Sequence, residues 1–195
     1  MVRFGFLPCV VILSVAVFQA KRRISASSDL ARKASRLALT CLVGLDAAEI
    51  ELDLPIQTVS TGLPFAIVPI KRLSTLTSLH LDPQKVNTYL KAQTTERLGF
   101  YFVCRDTGDS KVGLRARGIF PPVEDPATGS AAGCTSAWMV KYGVAQPDET
   151  VLILQGVEIK RPSQLFVRSS KNGATISNVR VGGHAVLVME GDASL

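Results

Sequence analysis

Glu124-Asp125-Pro126-Ala127-Thr128-Gly129-Ser130-Ala131-Ala132-Gly133 is the stretch that decides the fold, because it separates two groups of strand-like runs and has the composition of neither. It predicts the start of a helix that continues to Tyr142-Gly143. Asp125 and Pro126 suit a cap and a first turn, Thr128 to Ser130 offers a second start, and Gly143 is placed to end the helix in the left-handed region. Ala131, Ala132, Gly133, Cys134, Ala137 and Trp138 cover more than one side of this helix, and most of them are small. A helix that is neither charged nor amphipathic in its first turns is enclosed rather than laid on a surface. The expected fold class is therefore α+β, a curved mixed sheet wrapped round a central helix.

The runs on either side fit that sheet. Ile56 to Thr61 and Phe65 to Ile70 read as two strands parted by Gly62-Leu63-Pro64, and Leu98 to Cys104 and Lys111 to Ile119 as two more. Ser74 to Leu81 and Pro83 to Ala92 carry apolar residues at helical intervals, with Asp82 as an N-cap before a first-turn proline. Beyond the helix, Val151 to Ile159, Leu165 to Arg168, Ala174 to Val181 and Ala185 to Met189 read as strands, with a hairpin turn at Asn172-Gly173.

Composition narrows the function classes. The 195 residues are 47% apolar and 19% charged, which excludes collagen-like, low-complexity and coiled-coil chains. The net charge of +6 resembles that of a nucleic-acid binder, but Lys21 to Arg36 supplies +5 of it and the rest of the chain is nearly neutral. That cluster reads as a solvated arm, with binding to an anionic surface as the alternative, and no nucleic-acid partner is expected. Cys9, Cys41, Cys104 and Cys134 lack metal-ligand spacing, so no metal site is expected, and Cys104 and Cys134 read as small buried hydrophobes in a reducing compartment.

Phe4 to Phe18 is free of charge and imitates a signal peptide. The large Phe18 at the −3 position and the basic Lys21-Arg22-Arg23 oppose export, and the run is shorter than the roughly 20 residues a spanning helix needs. The run therefore reads as a buried strand or as a segment derived from an imperfect chain start, and a cytoplasmic protein is expected, with secretion or membrane anchoring through residues 4–18 as the alternative.

Residues Asp125 to Ser130 admit two readings: a capped tight turn, or a site. The first turn of a helix leaves backbone N–H groups unpaired, so the amides of Thr128, Gly129 and Ser130 offer a cradle for a carboxylate or phosphate. Gly129 lets a ligand come close, Ser130 adds a hydroxyl, and Asp125 or Glu124 stands by to accept or donate a proton. That combination suits proton transfer at a carbon beside a carboxyl group.

EDPATGSAAG (Glu124 to Gly133) resembles the motif of the PhzF family, named after the phenazine-biosynthesis isomerase and similar in fold to diaminopimelate epimerase. VSTGLPFAIVPI (Val59 to Ile70), QGVEIKRPSQL (Gln155 to Leu165) and VGGHAVLVMEG (Val181 to Gly191) resemble its corresponding segments in the same order. The resemblance implies two similar domains, each a curved sheet round a helix, with substrate held between them. It also implies an isomerisation without cofactor on a small carboxylated metabolite, and often a homodimer. By motif match Asp125 takes the acid position of the second domain, and Gly129 with Ser130 the substrate-contacting helix start. Lys160 stands where a glycine is usual, and Arg161-Pro162-Ser163 reads as structural.

On this resemblance residues 1–40 form an atypical N-terminal segment, and residues 41–195 a second domain with remnants of the interdomain strands. The family's first domain, with the glutamate taken as principal base and a Gly-His motif, finds no match before Val59, and neither Glu49 nor Glu51 replaces that glutamate. His184 and His80 read as structural or solvent-facing. Two functions are therefore expected as alternatives: an isomerase acting through Asp125, or a truncated half-enzyme that binds an acid or dimerises without turnover.

Overall fold

A computed structural model describes residues 10–14, 45–82, 84–86, 88, 99–120 and 123–184. One nine-stranded mixed sheet organises them. Its strands are β1 (Val10–Ser14), β2 (Gln57–Ser60), β3 (Pro64–Ile70), β4 (Gly99–Cys104), β5 (Leu114–Phe120), β6 (Val123–Asp125), β7 (Val151–Gln155), β8 (Ser163–Asn172) and β9 (Thr175–His184). In space the order is β1-β9-β8-β7-β5-β4-β3-β2, with β6 added to β5. The pairs β3–β4 and β5–β7 are parallel and the remainder antiparallel.

β3 and β4 read as unbroken apolar runs because both faces of the sheet are covered there. On one face Phe65, Ile67, Tyr101 and Val103 join Leu114, Ala116, Ile153, Val167 and Val181 against the central helix α2 (Gly129–Lys141). On the other, Ala66, Val68, Phe100, Phe102 and Ile119 pack under Ile50, Val86 and Leu76, the last from the short helix α1 (Leu73–Ser78).

Every residue of α2 from Ala131 to Val140 is buried. Small side chains make this possible: a Cβ on Gly133 would lie 3.3 Å from Val181 and 3.4 Å from Val179. Trp138 fills the largest space, its indole N–H donating to the carbonyl of Pro55 at 3.1 Å. The two buried hydroxyls Ser136 and Ser169 bond each other at 2.6 Å across the helix–sheet contact. Of the two helix starts the sequence offered, the later is realised, with Thr128 as N-cap. Gly143 at φ +72° ends the helix, and Val144 N–H returns to the carbonyl of Met139 at 2.8 Å in a Schellman-type closure.

Several boundaries differ from the sequence expectation. Residues 111–113 precede β5 rather than extend it, because Asp109 takes the amides of Lys111 (side chain, 2.9 Å) and Val112 (carbonyl, 3.1 Å) into a turn. β7 stops at Gln155, since Gly156 turns the chain at φ +78° and residues 157–160 form a turn instead of strand. The β8–β9 hairpin turns on Gly173-Ala174, one residue later than expected, with Gly173 at φ +57°. Asn178, at φ +49°, sits in a bulge that sets two residues of β9 against Ser169. Within Phe4 to Phe18, Val10–Ser14 is a strand paired with β9. The basic arm and the Ala185 to Met189 run lie outside the described residues. No described helix is long and apolar enough to cross a membrane.

Lys160 adopts φ +59°, a conformation that suits glycine. Its amide bonds Val157 O at 3.0 Å, so the turn holds it there despite the strain. Lys160→Gly is expected to raise stability by about 1 kcal/mol, read as a later urea midpoint with unchanged slope. An earlier midpoint would show that the exposed lysine contributes more than the strain removes.

Candidate active site

β4 covers one edge of β5, so β6 and β7 share the other edge end to end. That arrangement carries the C-terminus of β6, with Glu124 and Asp125, to the end of β7 at Gln155. Residues 126–128 then cross over the end of β7 and enter α2. Gly156 makes the crossing possible: a Cβ there would stand 2.3 Å from the carbonyl of Arg161 and 2.8 Å from that of Pro126.

Glu124 and Asp125, left as alternatives by the sequence, separate clearly. Arg117 clamps Glu124 with two parallel bonds, Nε to Oε1 at 2.9 Å and Nη2 to Oε2 at 2.7 Å. The same guanidinium donates through Nη1 to the carbonyls of Leu76 (3.0 Å) and Leu79 (2.8 Å), closing the end of α1. Glu124 is thus a structural anion, and Asp125 is the carboxylate left at the mouth of α2. Its Oδ2 accepts from the Thr128 hydroxyl at 2.9 Å and its Oδ1 from Ala127 N–H at 3.3 Å.

Gln155, fully buried, ties this corner together with four hydrogen bonds. Its Oε1 accepts from the Tyr101 phenol at 2.8 Å and from Thr128 N–H at 3.2 Å. Its Nε2 donates to the backbone carbonyl of Asp125 at 2.6 Å and to Thr128 Oγ1 at 2.9 Å. Burial first, and the nearby charge of Asp125 second, push the Tyr101 phenol above its ordinary value, so it stays a donor. Neither Tyr101 nor Gln155 stood out as a site residue in the sequence. A glutamine at an inward position, two residues after buried Ile153, was the available signal.

The cradle at the helix start is narrower than expected. The Thr128 amide belongs to Gln155, and the residue is only 5% exposed. Gly129 and Ser130 remain half-buried, and among the described residues their amides have no acceptor. A Cβ on Gly129 would meet nothing within 4 Å, so open space lies in front of this backbone. Unpaired donors at the positive end of a thirteen-residue helix favour an anion there.

His80 and His184 are exposed, and the His184 ring meets Phe166 edge-on at 5.6 Å. A cavity of about 500 Å³ lined by Leu154, Pro162, Gln164 and His184 reaches the Asp125–Ser130 loop only at Ala127. Cys104 and Cys134 are buried free thiols, and burial pushes the Cys104 thiol up to about 11. Among the described residues no three His, Cys, Asp or Glu side chains converge on one point.

Comparison with known proteins follows the same lines. The model of the PhzC-PhzF family, phenazine biosynthesis-like protein, matches residues 18–191. A trans-2,3-dihydro-3-hydroxyanthranilate isomerase of Pseudomonas aeruginosa is 30% identical over 143 residues, 72% of this chain and 48% of that protein. An uncharacterised isomerase of Mesorhizobium japonicum is 30% identical over 137 residues, 68% of this chain and 45% of the relative. The crystal structure of a Bacillus anthracis phenazine biosynthesis protein of the PhzF family superposes with a TM-score of 0.66 at 24% identity, over 78% of this chain and 55% of that one. The chain spans about half the length of the curated relatives it matches.

Proposed function

The chain belongs to the PhzC-PhzF family of phenazine biosynthesis-like proteins, and from that premise we propose that it is an isomerase that moves a proton on a small carboxylated metabolite without a cofactor. One observation carries the reading: the Asp125 carboxylate, bonded to Thr128, lies at the start of a helix whose Gly129 and Ser130 amides have no acceptor among the described residues, with open space on the Cβ side of Gly129. Those amides, with the Ser130 hydroxyl, would hold the substrate's carboxylate. Asp125 would take a proton from the neighbouring carbon, the C–H electron pair would delocalise toward the held carboxylate, and a proton would return from Asp125 at another carbon of the conjugated system after exchange of the carboxyl proton with solvent. Nothing is consumed, which is what an isomerisation requires.

The relative's substrate, trans-2,3-dihydro-3-hydroxyanthranilate, is the first compound to test. In deuterated water the full chain is expected to place deuterium on its carbon skeleton, and Asp125→Asn to slow that exchange about 100- to 10,000-fold. Unchanged exchange in Asp125→Asn would remove Asp125 from the chemistry. In a second reading these residues bind the acid, or dimerise, without turnover. Its expected signature is a ligand-dependent rise in Tm with no deuterium incorporation.

A further inference from the structure

We infer that Gln155 is a positioning residue that fixes the direction of the hydrogen bonds around Asp125, leaving Oδ1 as the oxygen that exchanges the substrate's proton. The inference rests on the isomerase reading for its chemistry and on geometry for everything else. Thr128 N–H is only ever a donor, so the Gln155 atom it faces at 3.2 Å is the carbonyl oxygen. The Tyr101 phenol, fully buried, donates to the same oxygen. The amide group must then point both its hydrogens the other way, one to the carbonyl of Asp125 and one to Thr128 Oγ1.

With its acceptor side occupied, the Thr128 hydroxyl has one remaining direction in which to donate, and Asp125 Oδ2 lies 2.9 Å away along it. Oδ2 therefore receives a proton donor at all times. Oδ1 has only the long contact to Ala127 N–H, at 3.3 Å, and is the oxygen with capacity to spare. β5 is shaped for this chain of bonds. A Cβ on Gly118 would lie 2.6 Å from Thr128 Oγ1 and 2.9 Å from Gln155 Nε2, so a glycine is what leaves room for both.

The experiment follows the side-chain carboxyl carbon signal of Asp125 by NMR in the full isotope-labelled chain at pH 7, assigned by its disappearance in Asp125→Asn. Gln155→Glu keeps the shape but removes the donor that orients the hydroxyl, and Thr128→Val removes the hydroxyl. Both are expected to displace the signal in the same direction, whereas Thr128→Ser should leave it in place. Gln155→Met, which removes the same donor without adding a charge, replaces Gln155→Glu if the buried carboxylate prevents folding. A signal that moves in Thr128→Val but in neither of the other two would show that the hydroxyl orients itself, overturning the role of Gln155. A signal unmoved by Thr128→Val would overturn the Oδ2 bond as well.

Where the chain exchanges deuterium into trans-2,3-dihydro-3-hydroxyanthranilate, Thr128→Val and Gln155→Glu should lower kcat about a hundredfold with little change in KM. A raised KM at unchanged kcat would assign Thr128 to substrate binding and defeat the inference. Full exchange in Asp125→Asn would defeat the reaction while leaving the carboxyl signals of the other variants as they are, so the two failures are distinguishable.

Discussion

Gly156→Ala is expected to cost about 3 kcal/mol or more, enough to leave the chain largely unfolded if its total stability is ordinary. Two causes add. The backbone sits at φ +78°, where any side chain is strained, and the new methyl would meet the carbonyls of Arg161 and Pro126 at 2.3 and 2.8 Å. Both neighbours are main chain, so no side-chain rotation relieves the clash. The crossing of residues 126–128 over β7 would have to lift, and the Asp125 corner with it. Gly129→Ala is the control, because its methyl meets nothing within 4 Å and alanine suits a helix start better than glycine. Urea unfolding should place Gly129→Ala at or above the parent midpoint and Gly156→Ala far below it. Similar midpoints for the two would refute the close packing of residue 156.

Arg117→Ala is expected to cost about 3–5 kcal/mol, the loss typical of breaking a buried ion pair from one side. The Arg117 and Glu124 side chains are 9% and 13% exposed, so removing the guanidinium leaves a mostly buried carboxylate without its partner. It also releases the carbonyls of Leu76 and Leu79 at the end of α1. Arg117→Met/Glu124→Leu, which removes both charges, should recover most of the Glu124 part of that loss but not the helix-end bonds. A double-mutant cycle on urea midpoints measures the coupling. Strictly additive losses would mean that solvent already screens the pair.

The central helix and most of the strands were legible because their signals are local: a run of small residues ending at Gly143, and apolar stretches such as Phe65 to Ile70 bounded by turn residues. The ends of Lys111 to Ile119 and Val151 to Ile159 were misjudged where one residue overrode an apolar pattern, Asp109 by capturing amides and Gly156 by reversing the chain. Within Phe4 to Phe18 a strand was one of the expected readings, but its bounds at Val10–Ser14 were not legible, since its partner strand ends at His184, almost a whole chain away. At the site, the sequence placed Asp125, Gly129 and Ser130 in one loop, but residue types alone did not separate Asp125 from Glu124, and only the motif resemblance chose Asp125. Arg117, which separates them, reaches Glu124 from a different strand. Gln155 stayed hidden for a similar reason, because its partners Tyr101 and Thr128 are 54 and 27 residues away.

Because α2 is buried on every side from Ala131 to Val140, it has no face fit to meet water while it waits for its surroundings. β7, β8 and β9 all emerge later from the ribosome, and α2 packs on β8 and β9 as well as on the earlier β3. The nascent chain must therefore shelter this segment until β9 arrives. Any shortened version that ends before β9 would carry an oily, unclothed rod and leave solution as aggregate.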